Sequence, residues 1–213
     1  MKKEDLPRII PVFPLSNFIF FPRTAVPLNI FEPRYIQMID DCMKGNRLLG
    51  IVQPSRNGDL KKPDLHDVGC LGKINSFSET EDKRYLIVLN GICRYKIDGE
   101  AKSEKMYRQC NVNYESFLND LEEDKSEIKI DKVDPLLKNL KNLFRKQGYM
   151  IDLKDLENQS LNQAINALSM ASPFSLEEKQ ILLETKNISL RKKKLEEILK
   201  TYMLDQFSNK TIQ

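Results

Sequence analysis

The stretch IPVFPLSNFIFFPRTAVPLNIFEPRYIQMI, Ile10 to Ile39, decides how the first half of this chain is read. RIIPVFP (8 to 14) and TAVPLNIF (24 to 31) are short apolar runs rich in β-branched and aromatic residues, as strands prefer. EPRYIQMIDDCMKGN then sets Tyr35, Ile36, Ile39 and Met43 at helical spacing, with Pro33 near its start and Gly45 at its end. Between the two runs, Phe18, Ile19, Phe20 and Phe21 stand side by side until Pro22 stops them. Burying one Phe is worth about 1.5 to 3 kcal/mol, so a chain must either bury this cluster or cover it with a partner. Two readings stay open: all four are barrel core, or Phe18 and Phe20, which alternate with Ile19 and Phe21 along a strand, face outward beside Arg23.

Working outward, further strands are expected at RLLGIVQ (47 to 53), VGCLGKINSFS (68 to 78), RYLIVLNG (84 to 91), ICRYKID (92 to 98) and YRQCNVNYESF (107 to 117). Such close spacing suggests a barrel or sandwich. Gly91 reads as a turn with positive φ between two strands, and Gly69 and Gly72 as the ends of a strand that bends or bulges. PSRNGDLKKP (54 to 63) is an exposed loop carrying the hairpin signal Asn57-Gly58.

From about residue 119 the texture changes. NDLEEDKSEIKIDK is a charged linker, and helices follow it. Leu136, Leu137, Leu140, Leu143 and Phe144 share one face of a helix that Asp134 caps, Pro135 opens and Gly148 ends. Ser160 with Gln163, and Ser175 with Glu178, have capping-box spacing, and Pro173 requires the helix before it to stop by Ser172. A last helix from about Ser189 places Leu195, Ile198, Leu199, Tyr202 and Met203 opposite the run Arg191 to Lys194, and SNKTIQ frays after it. The expected organisation is a β-rich domain at 1–118, a linker at 119–130 and a helical bundle at 131–213. The class is α+β.

Several chemistries find no support. There is no G-x-x-x-x-G-K-[ST] phosphate loop, no G-x-G-x-x-G and no G-x-S-x-G elbow, and the one histidine, His66, lies in a polar turn. Cys42, Cys70, Cys93 and Cys110 are widely spaced, reading as reduced, buried thiols rather than metal ligands. Asp40-Asp41 and Glu122-Glu123-Asp124 are runs of adjacent carboxylates, and neighbours along a helix face different ways. No catalytic residue, metal or cofactor is expected. No apolar run reaches the about 20 residues of a membrane span, and the N-terminus lacks an apolar signal core, so a cytoplasmic protein without a membrane partner is expected. The net charge of +3 is too small to imply a nucleic-acid partner.

The order of these motifs resembles the N-terminal, substrate-binding domain of Lon-type ATP-dependent proteases. In the opening stretch Pro11, Pro14, Leu15, Phe21, Pro22, Val26, Pro27 and Leu28 stand where that family has P-x-x-P-L, an apolar run, Phe-Pro and Pro-Leu. DVGCLGKINSF is similar to its V-G-x-x-x-x-I strand through Val68, Gly69 and Ile74, and LIVLNGICRYKI to its V-x-G-x-x-R pair through Val88, Gly91 and Arg94. In the helical half, Pro173, Lys179, Gln180, Leu182, Leu183 and Glu184 match the family bundle. One departure is Arg23, where the family commonly has glycine or another small residue.

The resemblance implies a PUA-like β pseudo-barrel with one inserted helix, followed by a helical bundle. A full Lon protease continues into an ATPase and a Ser-Lys protease domain, neither of which this sequence contains. A non-enzymatic module is therefore expected, binding unfolded or peptide segments of other proteins as a holdase-like factor or as an adaptor to a separate ATP-dependent protease. The expected polypeptide-binding residues are Phe18, Phe20, Arg23, Phe31, Arg34 and Tyr35, and a weak homodimer through the aromatic cluster is a further expectation. Pro14, Leu15, Phe21, Pro22, Pro27, Gly69, Gly91 and Arg94 are expected to be structural. The alternative is RNA binding by the PUA-like barrel through Arg23, Arg34, Arg84 and Arg94, which the low net charge disfavours.

Overall fold

The computed structural model describes residues 1–59, 62–122, 135–148, 156 and 159–208, with backbone alone at 56–59 and 205–208. The chain divides into two compact units, Met1–Glu122 and Glu123–Gln213.

In the first unit eight strands surround one helix: β1 (Ile9–Pro14), β2 (Ala25–Ile30), α1 (Pro33–Lys44), β3 (Leu48–Val52), β4 (Pro54–Asp59), β5 (Lys62–Leu65), β6 (Val68–Glu79), β7 (Tyr85–Glu100) and β8 (Gln109–Asn113). β4 and β5 form a separate hairpin, while the main sheet runs β2-β7-β6-β3-β1-β8. Because β7 also pairs with β8, five strands close on themselves as β1-β3-β6-β7-β8, and β2 extends the sheet from β7. Among the described residues only β1 and β3 pair in parallel, with Val12 opposite Gly50. Closure removes the exposed edges that an open sheet would present.

The closed ring gathers Ile10, Val12, Leu48, Leu71, Cys93, Tyr95 and Cys110 into one core. Tyr95 is fully buried and donates its hydroxyl to the Ile51 carbonyl at 3.2 Å. Gly69 makes room for that ring: a Cβ on Gly69 would overlap the Tyr95 hydroxyl.

Three expectations change here. The segment 54–63 is largely a paired hairpin, although residues 60 and 61 lie outside the described set. The runs 84–91 and 92–98 are one continuous strand, β7, and Gly91 sits within it without a positive φ. The bulge expected near Gly72 is present, since pairing passes from Leu71–Cys93 to Gly72–Gly91 and leaves Ile92 over. The strand expected over 107–117 is shorter, Gln109–Asn113, because a 3-10 segment takes over at Glu115–Leu121.

That 3-10 segment belongs to the first unit, four residues beyond the boundary drawn at 118. Asp120 accepts bonds from Arg94 through its backbone nitrogen (3.0 Å), Nε (2.8 Å) and Nη2 (2.8 Å). The remainder of the expected linker, 123–130, and Asp134 lie outside the described residues.

The second unit holds α2 (Pro135–Lys146), α3 (Leu161–Ala171), α4 (Leu176–Glu184) and α5 (Ile188–Ser208). All five expected core residues of α2 are buried, and Gly148 at φ +82° follows the helix where a left-handed residue is needed. Both capping boxes form, Ser160 with Gln163 and Ser175 with Glu178. Arg191 departs from its expected place on the solvated face. It is 1% exposed, donates from Nε to the Leu182 carbonyl at 2.8 Å and from Nη1 to Asn166 Oδ1. Its charge thus lies at the C-terminal end of α4, where the helix dipole favours a cation. Residues 209–213, within the expected frayed tail, lie outside the described set.

Candidate functional site

The aromatic cluster is not a strand, and that changes which side chains reach the surface. Residues 15–24 run as turns between β1 and β2. Without alternation, Ile19, Phe20 and Phe21 are all buried, at 3%, 1% and 0% exposure, and only Phe18 is intermediate, with its ring 6.5 Å from that of Phe20. Phe20 is therefore core rather than outward-facing. Of the cluster expected to mediate self-association, Phe18 alone keeps partial exposure.

What the cluster does instead is dock on β7. Gly91 donates its N–H to the Thr24 carbonyl at 2.8 Å and accepts from the Arg23 N–H at 2.9 Å. Thr24 turns its hydroxyl back to the Phe21 carbonyl at 2.7 Å. The approach is so close that a Cβ on Gly91 would overlap the Phe21 carbonyl oxygen. Pro22 and Phe21 thereby lie close against Gly91 of β7. Pro14 closes β1, Leu15 donates its N–H to Val52 O at 3.0 Å, and Pro27 stands exposed on β2.

Arg23 is held by the same contact. Its φ is +61°, in the left-handed region where glycine is at ease and an arginine is strained. Its guanidinium donates to the Asp120 carbonyl at 3.3 Å and to the Glu122 carbonyl. The strap offsets the backbone strain. We therefore expect Arg23→Ala, which keeps the strain and loses the strap, to destabilise the first unit by about 1 to 2 kcal/mol, with Arg23→Gly about 1 kcal/mol milder. Urea melts in which Arg23→Ala matched wild type and Arg23→Gly melted above it would show that the strap contributes nothing.

Phe31, Arg34 and Tyr35 come together at the start of α1. Phe31, between β2 and the helix, is 66% exposed, the kind of lone large apolar side chain that marks a contact surface. Arg34 is exposed, pairs with Glu32 at 2.8 Å and lies over the Tyr35 ring at 4.6 Å. Tyr35 is buried against Phe13, with ring centroids 4.2 Å apart, and burial pushes its phenol pKa up. It is a platform under Arg34 rather than an open contact.

Sequence reading missed the neighbouring wall. The loop from Glu100 to Gln109 is tied to α1: Met106 N–H donates to Gln37 Oε1 at 3.0 Å, and both Lys105 Nζ and the Tyr107 hydroxyl reach Asp41 Oδ2 at 2.9 Å. The bonds from Lys105 and Tyr107 hold the Asp41 carboxyl below its usual range. Met106 is 58% exposed at the rim of an open cleft of about 550 Å³, which Arg34 also lines. The signal is present in KSEKMYR (102 to 108), dense in cations beside one exposed apolar residue, but only its last two residues fall within an expected element, the strand at 107 to 117.

The four arginines considered for RNA do not form one surface. Arg94 is 1% exposed, bonded to Asp120 and 4.3 Å from the Phe117 ring centroid. Arg84 is exposed and pairs with Asp82. Desolvation pushes the buried thiols of Cys42 and Cys93 up to about 12 and that of Cys110 to about 11, which leaves them protonated and unreactive near neutral pH. Among the described residues no group of three or more His, Cys, Asp or Glu could hold a metal ion, and no helix is long and apolar enough to cross a membrane.

Comparison with known proteins agrees with this geometry. Two solved structures share the fold: a Lon N-terminal domain protein from Xanthomonas campestris (TM-score 0.62, 18% identity, 88% of this chain and 96% of that one) and the N-terminal domain of Mycobacterium avium complex Lon protease (TM-score 0.59, 18% identity, 90% and 98%). Among curated proteins, Lon protease 2 of Myxococcus xanthus is 26% identical over 211 residues, 93% of this chain and 24% of the relative. Lon protease of Flavobacterium johnsoniae is 29% identical over 198 residues, 90% of this chain and 24% of the relative. The chain thus spans about a quarter of the length of the curated relatives it matches. The family model for the ATP-dependent protease La (LON) substrate-binding domain matches residues 9–201, and the chain belongs to that family.

Proposed function

We propose that this chain is a non-catalytic module that holds exposed polypeptide segments of other proteins, with the surface at the start of α1 as the contact. The observation that carries this reading is Phe31. A side chain 66% exposed, on a short link between β2 and α1 that both elements hold in place, is a preorganised apolar anchor. Membership of a family described as the substrate-binding domain of a protease supports a polypeptide as the ligand.

Two forms of the reading differ in what happens next. As an adaptor, the chain raises turnover of its client by a separate ATP-dependent protease; as a holdase, it lowers it. Four buried cysteines, none of them in a disulfide, suit a reducing compartment such as the cytoplasm in either case.

The test is anisotropy of a labelled, reduced and alkylated unfolded protein titrated with the full chain. Wild type should bind, and Phe31→Ser should weaken binding about tenfold, the loss typical of an apolar anchor, while stability changes by no more than about 0.5 kcal/mol. Equal binding by the variant would remove Phe31 from the reading.

A further inference from the structure

The cleft beside the first turn of α1 concentrates positive charge that the chain as a whole nearly balances. Net charge over the chain is only +3, yet Arg34, Lys62, Lys102, Lys105 and Arg108 line this one cleft against a single lining carboxylate, Glu100. Glu100 is shared, accepting Lys62 Nζ at 3.0 Å and Arg108 Nε at 3.2 Å. Asp41 takes Lys105 at 2.9 Å, and Glu32 takes Arg34 at 2.8 Å. Five cations against these three carboxylates leave a surplus of two.

The walls are fixed before any ligand arrives. Gln37 and Asp41 on α1 hold the backbone of Met106 and the side chains of Lys105 and Tyr107, and Arg108 Nη1 donates to the Pro63 carbonyl at 2.7 Å. Met106 supplies an exposed apolar contact at the rim.

We infer that this cleft takes a short acidic segment of polypeptide, with one or two Asp or Glu side chains on Lys62, Lys102 and Arg108 and an adjacent apolar side chain on Met106. This rests on the polypeptide-binding reading above and names the class of segment. Carboxylate is the chemistry already accommodated here: Arg108 grips Glu100 in fork geometry, Nε to Oε1 at 3.2 Å and Nη2 to Oε2 at 3.3 Å. An incoming carboxylate competes like for like. A nucleic-acid backbone is a poorer fit, because strong binding draws on roughly six to ten phosphate contacts and a surplus of two charges supplies too few.

The experiment uses the full chain and four labelled probes: a dodecapeptide alternating Glu and Leu, the same peptide with Gln for Glu, the same with Lys for Glu, and an oligouridylate of twelve nucleotides. At low salt the Glu probe should bind about tenfold tighter than the Gln probe, the Lys probe weakest, and the preference should fade towards 0.5 M salt as screening shortens the reach of the cations. Lys62→Glu/Lys102→Glu should abolish the preference. Both lysines are exposed, and an unchanged far-UV circular dichroism melt reports an intact fold. Equal affinity for the Glu and Gln probes, a preference that survives in the double variant, or an oligouridylate that outcompetes the Glu probe would each overturn the inference. If the Gln probe binds without a Glu preference, only this inference falls; if no peptide probe binds and the unfolded protein does not either, the polypeptide reading falls with it.

Discussion

Replacing Asp120 by alanine is expected to destabilise the first unit by about 3 to 5 kcal/mol, because it strands a buried cation. Arg94 has 1% of its side chain exposed and Asp120 11%, so water cannot take over the lost carboxylate. The pair is well made, with Nε and Nη2 on the two carboxylate oxygens at 2.8 Å each and the Phe117 ring 4.3 Å from the guanidinium carbon. A buried pair of this kind is costly to break and much less costly to replace. Arg94→Met/Asp120→Leu should therefore lose far less than Asp120→Ala alone. Denaturant melts followed by far-UV circular dichroism would decide it. A loss under about 1 kcal/mol for Asp120→Ala would mean the guanidinium finds water or another acceptor.

Gly91→Ala is the second large effect. The new methyl would overlap the Phe21 carbonyl oxygen and come within 3.1 Å of the Phe21 carbonyl carbon and of Pro22 Cα, all backbone atoms. Backbone cannot step aside without breaking the paired bonds between Gly91 and residues 23–24. A loss of about 3 kcal/mol or more is expected, at the upper end of overpacking changes, with separation of the 15–24 segment from β7. Gly45→Ala is the control, since its Cβ would meet nothing nearer than 3.6 Å. It should change stability by less than about 0.5 kcal/mol. A mild Gly91→Ala would show that the segment docks less tightly than described.

These two results probe the same contact, and that contact shows what a sequence can and cannot carry. Phe21-Pro22 and Gly91-x-x-Arg94 were both legible as motifs, but seventy residues separate them in the chain. Nothing in either indicates that one is the seat of the other. Gly91 was read as a turn because apolar runs flank it on both sides; a long strand with a close backbone neighbour leaves the same signature. At Phe18–Phe21 the two readings differ because alternation holds only for a strand; the segment forms none, so Phe20 is buried with Ile19 and Phe21 and Phe18 alone keeps partial exposure. Arg191 looked solvated beside three lysines, and only the helix end that it caps accounts for its burial.

Local signals did better. Capping boxes at Ser160 and Ser175, the Gly148 stop and the apolar face of α2 depend on residues within a few positions of one another, and all appear as read. Phe31, Arg34 and Tyr35 were legible as a group for the same reason. The cationic wall facing them comes from β5 and the 100–109 loop, brought to α1 by bonds such as Met106 to Gln37 across 69 positions. Its residues were visible, but their meeting place was not.

The most direct test of the account is to locate a bound unfolded segment on the isotopically labelled full chain by NMR titration. Amide shifts should concentrate on Phe31, Arg34 and Met106 and leave Phe20 and Phe21 unmoved. Shifts centred on residues 18–21, or none at saturating ligand, would contradict it.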